Sequence, residues 1–389
     1  ADNDRIQRLY RFSYNGIQRA NAILDKIGNA DIPESLKTQY TGEAKTIRAN
    51  FYYNLVRVFG GIPLVTTEFT DINETYKVGR ATVNEVYDQI ILDLQEAKTL
   101  LPLSYDANNI GRVTKGAATS LLGDVYLTLH QYGNAAAEFK EVIASNQYQL
   151  LDNYSDVFLD GTHGNKEAIW QAQFKSSTPY SGSSFANFFA PTGSDNILVN
   201  GPAVGFNQPT EDLINDYEVG DLRKAASIGD GYTDGGGTFI PAKYIKLYVR
   251  FEANALDSDL DWYILRYSDI LLRCAEAINE VEGPTIESYG HLNKVRERAG
   301  LAPLSGLSKD DFRTAVFHEE RMETAFEGKR WFDLLRTGRA LTVMNAKVAT
   351  GGSASVGISS PIEQYQLLFP IPSVAVATSS PYIEQNPGY

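Results

Sequence analysis

The sequence predicts a mainly α protein in which tetratricopeptide-like helix pairs form a scaffold beneath a loop-rich variable face with a few short strands. Three observations carry this. Apolar residues recur at steps of three and four through most of the first 150 residues and again beyond Asp261. An L-G-x-x-Y and A-x-x-x-F pair stands at Leu122-Gly123-x-x-Tyr126 and Ala135-x-x-x-Phe139. Between them and the later helices, Gly, Ser, Asn and Asp dominate a stretch dotted with aromatics. The organisation expected is 1–150 helical repeats, 151–261 an irregular ligand-binding part, 262–345 C-terminal helices and 346–389 a tail packing on the scaffold, all in one compact unit.

Taken in order, Ile6, Leu9, Ser13, Ile17, Ala20, Leu24 and Ile27 make one stripe, and Leu36, Tyr40, Ala44, Ile47, Phe51 and Leu55 a second. That spacing puts one apolar face on each helix. Pro33 and Gly60-Gly61-Ile62-Pro63 punctuate them. Thr82 with Glu85 three residues on is a capping box that opens a third helix, ending at Pro102. Thr114 caps the next pair, where the small Gly and Ala of the repeat let two helices approach and Tyr126 and Phe139 fill the groove. Residues 167–174 alternate like a strand. A long loop-rich stretch follows, which in a compact protein signals function or disorder. Helices return at Ile264, Tyr267, Leu271, Cys274, Ile278 and Val281, then over Ile286 to Ala299 and Ser308 to Arg336. The tail holds a low-complexity turn at Thr350 to Ser360 and a Pro-rich end.

Composition excludes several classes. Of 389 residues, 43% are apolar and 21% charged, an ordinary globular balance. The formal net charge of −13 argues against nucleic acid, whose phosphates need a basic face, and against electrostatic docking on anionic lipid. Cys274 is the single cysteine, so no intrachain disulfide forms; its apolar helical setting makes it a small core residue. No run of 18 apolar residues occurs.

Catalytic motifs are missing where chemistry would need them. His318-Glu319 opens like a zinc-protease helix, but Met322 replaces the second His. Asp234 breaks a G-x-G-x-x-G at Gly229. Glu320, Glu323, Glu327 and Asp333 are dense enough to test as a glycosidase pair. Arg321, Lys329, Arg330 and Arg336 interleave with them, and cations depress the pKa that a general acid needs raised. An ion-pair network tying two helices together is the expectation. Asp257, Asp259 and Asp261 resemble the start of a calcium loop, but Trp262 stands where Gly is required and Ser268 at position twelve; they are a weak calcium candidate, and no other cofactor is expected. What remains is binding by aromatic platforms, since sugar rings lie flat on Tyr or Phe while rim polar groups take the hydroxyls. The candidates are Asn73, Tyr76 and Arg80; then Tyr180, Phe185, Phe188, Phe189 and Asn196; and, more weakly, Tyr232 and Phe239 with Tyr244.

Five blocks in chain order carry a resemblance. They are Arg48-Ala49-x-Phe51-Tyr52-Tyr53 leading to Phe59-Gly60-Gly61-Ile62-Pro63-Leu64; Thr114-Lys115-Gly116-Ala117-Ala118; Arg266 to Leu272 with Ala275-Glu276-Ala277; Glu320-Arg321 with Glu327 to Leu334 and Arg336; and Phe369-Pro370-Ile371-Pro372 with Gln385 to Tyr389. Together they resemble the SusD/RagB-like family. The resemblance implies a cell-surface lipoprotein of the outer membrane in Bacteroidetes-type bacteria. Such proteins are not enzymes. They capture glycans, or peptides in the RagB branch, and cap a SusC-type TonB-dependent transporter. A lipid anchor is implied upstream of Ala1, and Ser380-Pro381 replaces the family's usual Asn-Pro. Ligand contacts in the family lie on variable loops outside these blocks, so no binding residue carries across. Trp170, Trp262 and Trp331 sit in or beside scaffold segments, which shifts the expected platform to Tyr and Phe. A glycan-binding protein is the leading expectation, a RagB-like peptide binder the second, and a carboxylate glycosidase the alternative of another class.

Overall fold

A computed structural model describes residues 2–159, 163–179, 181–349, 358 and 360–389. Among them helices predominate and the strands form two-stranded pairs. The chain clusters into two compact units: residues 1–105, 112–131 and 331–389, and residues 106–111 and 132–330. These are not the four consecutive stretches read from the sequence, because the C-terminal segment joins the first helices.

In the first unit, helix α1 (Asp4–Lys26) is capped by Asn3, whose side chain accepts from Arg5 N at 3.0 Å. It packs on α2 (Glu34–Phe59). Gly16 makes the approach close, since a Cβ there would fall 2.1 Å from the Phe51 ring. Helix α3 (Ile72–Thr75) is a single turn. Helix α4 (Val83–Leu100) opens with the expected Thr82–Glu85 capping box and packs on α2 and on α5 (Lys115–Thr128), which Thr114 caps. Arg48 fastens three layers. Its guanidinium makes a bidentate pair with Asp93 of α4 at 2.7 and 2.8 Å and donates to Asn21 of α1 at 2.8 Å. Planar fork geometry is what suits Arg to such a node. Strands β1 (Ile62–Pro63) and β2 (Arg80–Ala81) pair antiparallel.

The second unit contains α6 (Tyr132–Ala144), strand β3 (Ala168–Ala172), the short helices α7 (Phe185–Phe189), α8 (Glu211–Asp216) and α9 (Leu222–Ser227), and a β4–β5 hairpin (Ile228–Thr233, Phe239–Ile245). Strand β6 (Trp262–Arg266) pairs antiparallel with β3. Helix α10 (Tyr267–Glu282) is buried by α6, α11 (Ile286–Arg298) and α12 (Lys309–Glu323). The stretch read as mostly loop therefore carries short elements, glycine-rich and too brief for a periodic signal. The helix expected over Ser308 to Arg336 is broken. Helix α12 ends at Glu323, and Phe326 (φ 72°) and Gly328 (φ 75°) turn the chain before α13 (Arg330–Arg336) begins. Left-handed residues cannot continue a right-handed helix. Helices α14 (Ala340–Ala349) and α15 (Ser373–Thr378) follow. Most of the low-complexity turn at Thr350 to Ser360 lies outside the described residues.

Candidate functional site

The segment after β1 has no regular structure, and side chains of α1 and α2 satisfy its backbone. Asn21 donates to the carbonyls of Val65 and Thr67, each at 3.0 Å. Gln18 donates to Phe69 O at 3.0 Å, and Tyr14 to Pro63 O at 2.8 Å. Tyr52 both accepts from Val65 N and donates to Val65 O. Backbone groups away from water need partners, which explains why Asn21 is fully buried on α1.

Held this way, the segment forms one wall of a cleft of about 550 Å³. Helix α1 supplies Tyr10, Tyr14 and Asn15, the segment supplies Phe69 and Tyr76, and α15 with the residues after it supplies Thr378 and Ile383. The volume lies within the range of small-molecule sites. Tyr10 and Tyr14 have ring centroids 4.8 Å apart. Burial pushes the Tyr10 phenol up to about 12 and the Tyr14 phenol well above its ordinary value, so both remain neutral. Tyr76, at the mouth, is 38% exposed. Asn15, Thr70 and Thr378 bring an amide and two hydroxyls to the exposed rim.

Of the first candidate group, Tyr76 lines this cleft, and Asn73 is three residues away on α3. Its amide and backbone N–H both donate to Asp71 at 2.9 Å, completing the cap of that turn. Arg80 has a different task. Its guanidinium donates to Gly61 O, Phe59 O, Glu384 O and the Asn386 side chain, clasping the C-terminal tail to the turn after α2.

In the second unit, Phe185 and Phe189 pack half-buried against Tyr248 and Trp262 in an aromatic core with Tyr154, Phe158 and Tyr263. Phe188, from the opposite side of α7, is exposed and lies 5.7 Å from Phe206 at 53°, a tilted pair and not a flat platform. Asn196 occupies a left-handed turn (φ 57°) and accepts from Gly201 N. Tyr232 is buried, Phe239 is exposed over Gly231, and Tyr244 covers Gly229. Tyr180 lies outside the described residues.

The calcium candidate is corrected. Asp257, Asp259 and Asp261 accept from the backbone N–H groups of Ser177, Ser176 and Phe174. Alternate residues of an extended segment thus latch a neighbouring loop instead of converging. Among the described residues no group of three His, Cys, Asp or Glu side chains is placed to share a metal.

The acidic block forms a buried ion network, partly with its own cations, Lys329 on Glu327 at 3.4 Å and Arg336 on Asp333 at 3.1 Å, and largely with arginines from distant elements. Arg266 of β6, fully buried, pairs with Glu167 at 2.9 Å, Glu327 at 2.7 Å and Glu323. Arg298 reaches Glu167 and Glu323, while Arg223 holds Asp221, Glu319 and Glu323. Arg321 instead pairs with Asp212 and Asp216. Burial alone would raise Glu323, but the guanidinia of Arg298, Arg266 and Arg223 hold it below the usual carboxylate range. Glu319, Glu323 and Glu327 are almost wholly enclosed, so no cleft separates them in the way a glycosidic bond would require.

Sequence reasoning missed Tyr10 and Tyr14. With Gln18 they recur at i, i+4 and i+8 on α1, a second face beside the apolar stripe, and that was the available signal.

Residues 236–389 match the SusD family, and residues 1–127 match a family described as "Starch-binding associating with outer membrane". The chain is 30% identical to the SusD-like protein P38 of Formosa agariphila over 380 residues, 85% of this chain and 72% of the relative. It superposes on a SusD superfamily protein from Parabacteroides distasonis with a TM-score of 0.86 at 30% identity, covering 100% of this chain and 87% of the other. A laminarin-binding SusD-like protein superposes at 0.84 and 28% identity over 98% and 86% of the two chains. Among the described residues no helix is long and apolar enough to cross a membrane. With its five sequence blocks, its helical architecture and these likenesses in agreement, the chain belongs to the SusD-like family.

Proposed function

We propose that the protein is a non-catalytic glycan-binding protein of the outer-membrane surface, lipid-anchored, that takes a polysaccharide or oligosaccharide at the α1–α15 cleft and delivers it to a SusC-type TonB-dependent transporter. The observation that carries this reading is the likeness, over 98% of the chain, to a SusD-like protein whose name states that it binds laminarin. The cleft suits the chemistry. A sugar presents C–H faces to the Tyr76 ring, while the amide and hydroxyls of Asn15, Thr70 and Thr378 meet its hydroxyl groups. Burial in the Arg-rich network leaves the acidic block without the paired, accessible carboxylates that hydrolysis would use.

Isothermal titration against laminarin and a panel of other polysaccharides tests the reading. Tyr76→Ala is expected to weaken binding about ten-fold, from an aromatic contact worth about 1 kcal/mol plus the apolar area it covers. Its melting temperature should stay unchanged, because the ring is partly exposed. Heat from peptides alone would replace glycan with peptide, and reducing-sugar release by the purified protein would overturn the non-catalytic assignment.

A further inference from the structure

We infer that the cleft selects uncharged glycans and rejects sulfated or uronate-bearing ones, an inference that rests on the proposed function. Among the described residues no charged side chain lines the cleft. Its polar groups are the phenols, amides and hydroxyls of Tyr, Asn, Gln, Thr and Ser. The phenols of Tyr10 and Tyr14 are neutral donors, not counter-charges. A sulfate or carboxylate entering here would leave water without an ionic partner, and burying an unpaired charge is expensive.

Arg80, Lys77 and Lys26, near the cleft, are already engaged. Arg80, the nearest to the two tyrosines in its electrostatic effect, spends its N–H groups on three backbone carbonyls and Asn386. Lys77, next to Tyr76, is paired with Glu74 at 2.7 Å. Lys26 is paired with Glu68. The exposed residues flanking the mouth in sequence, Asp71 and Glu74, are acidic, and the whole chain carries −13. Glu74 is neutralised by Lys77, so repulsion comes from Asp71 and the net negative charge, and discrimination is built mainly from missing attraction. A glucan-type or other neutral chain meets none of these penalties.

The test pairs ligands that differ only in charge. Wild-type protein and the Tyr76→Ala variant are titrated with laminarin and chemically sulfated laminarin, then with starch, xylan and mannan against alginate and polygalacturonate. The expected result is binding confined to the neutral members, with acidic ones weaker by about ten-fold or more, and weakening by Tyr76→Ala. An acidic glycan that binds as tightly as any neutral one, and loses affinity in Tyr76→Ala, overturns the charge selection while leaving glycan binding in place. Neutral binding untouched by Tyr76→Ala overturns the assignment of selectivity to this cleft. No binding to any glycan overturns the proposed function along with the inference.

Discussion

Arg80 and Asn386, 306 positions apart in the chain, meet in a hydrogen bond of 2.6 Å from the guanidinium to the amide oxygen. The amide nitrogen of Asn386 turns the other way, donating to Phe59 O at 3.0 Å and Phe369 O at 2.7 Å. One buried side chain thus joins the end of α2, the strand after the cleft segment and the C-terminal tail. Asn386→Ala strands the Phe369 carbonyl and leaves Phe59 O and the guanidinium arm only their mutual 3.4 Å contact. It is expected to cost about 2 kcal/mol, read as a lower midpoint in urea, and to weaken glycan binding because the tail carries α15, a wall of the cleft. Unchanged values for both would show that the clasp is dispensable.

Arg266 is the centre of the second unit's charge network, and its removal should be severe. Arg266→Met leaves Glu167, Glu323 and Glu327 buried with too little positive charge. Truncating one member of a buried ion cluster costs about 3–5 kcal/mol. Denaturant titration followed by tryptophan fluorescence should register it, since Trp262 is in the same strand.

Acid should destabilise the protein through the same network. The folded-state pKa of Glu323 is depressed, so its contribution to stability is complete above its unfolded value of about 4.3 and is lost as pH falls through the folded one. Glu319, raised by burial, has the opposite sign and offsets part of the effect as pH rises. The urea midpoint should therefore hold from pH 7 to about 5 and drop below about 4. The slope of that drop should be shallower in Glu323→Gln, and equal slopes would remove Glu323 as the sensor.

Cys274 should be inert. It is wholly buried on α10, and desolvation pushes its thiol up to about 12, whereas the thiolate is the reactive form. Ellman's reagent should label it only in denaturant; rapid labelling of native protein would mean that α10 opens readily.

Legibility in the sequence followed the range of the interactions. The long helices announced themselves through local devices, the Thr82–Glu85 box, the Thr114 cap and the three-and-four stripes. The break before α13 did not, because Phe326 is an ordinary helix-compatible residue until its neighbours force a positive φ. Tyr76 could be singled out as an aromatic in a polar loop. Arg80 looked equally available, since nothing near it in sequence reveals a partner among the last residues. Phe185 and Phe189 differ from Phe188 only in which side of one short helix they occupy. Tyr10 and Tyr14 were hidden by regularity, their spacing being what any helix would tolerate.

The clasp has a consequence for what holds the first unit together. The unit holding the first helices is finished only by residues 331–389, and its closing bonds come from Asn386, among the final residues. The first helices therefore depend on a distant segment of the chain for the bonds that seal them. Loss of that segment would remove a wall of the cleft together with the bonds that hold it.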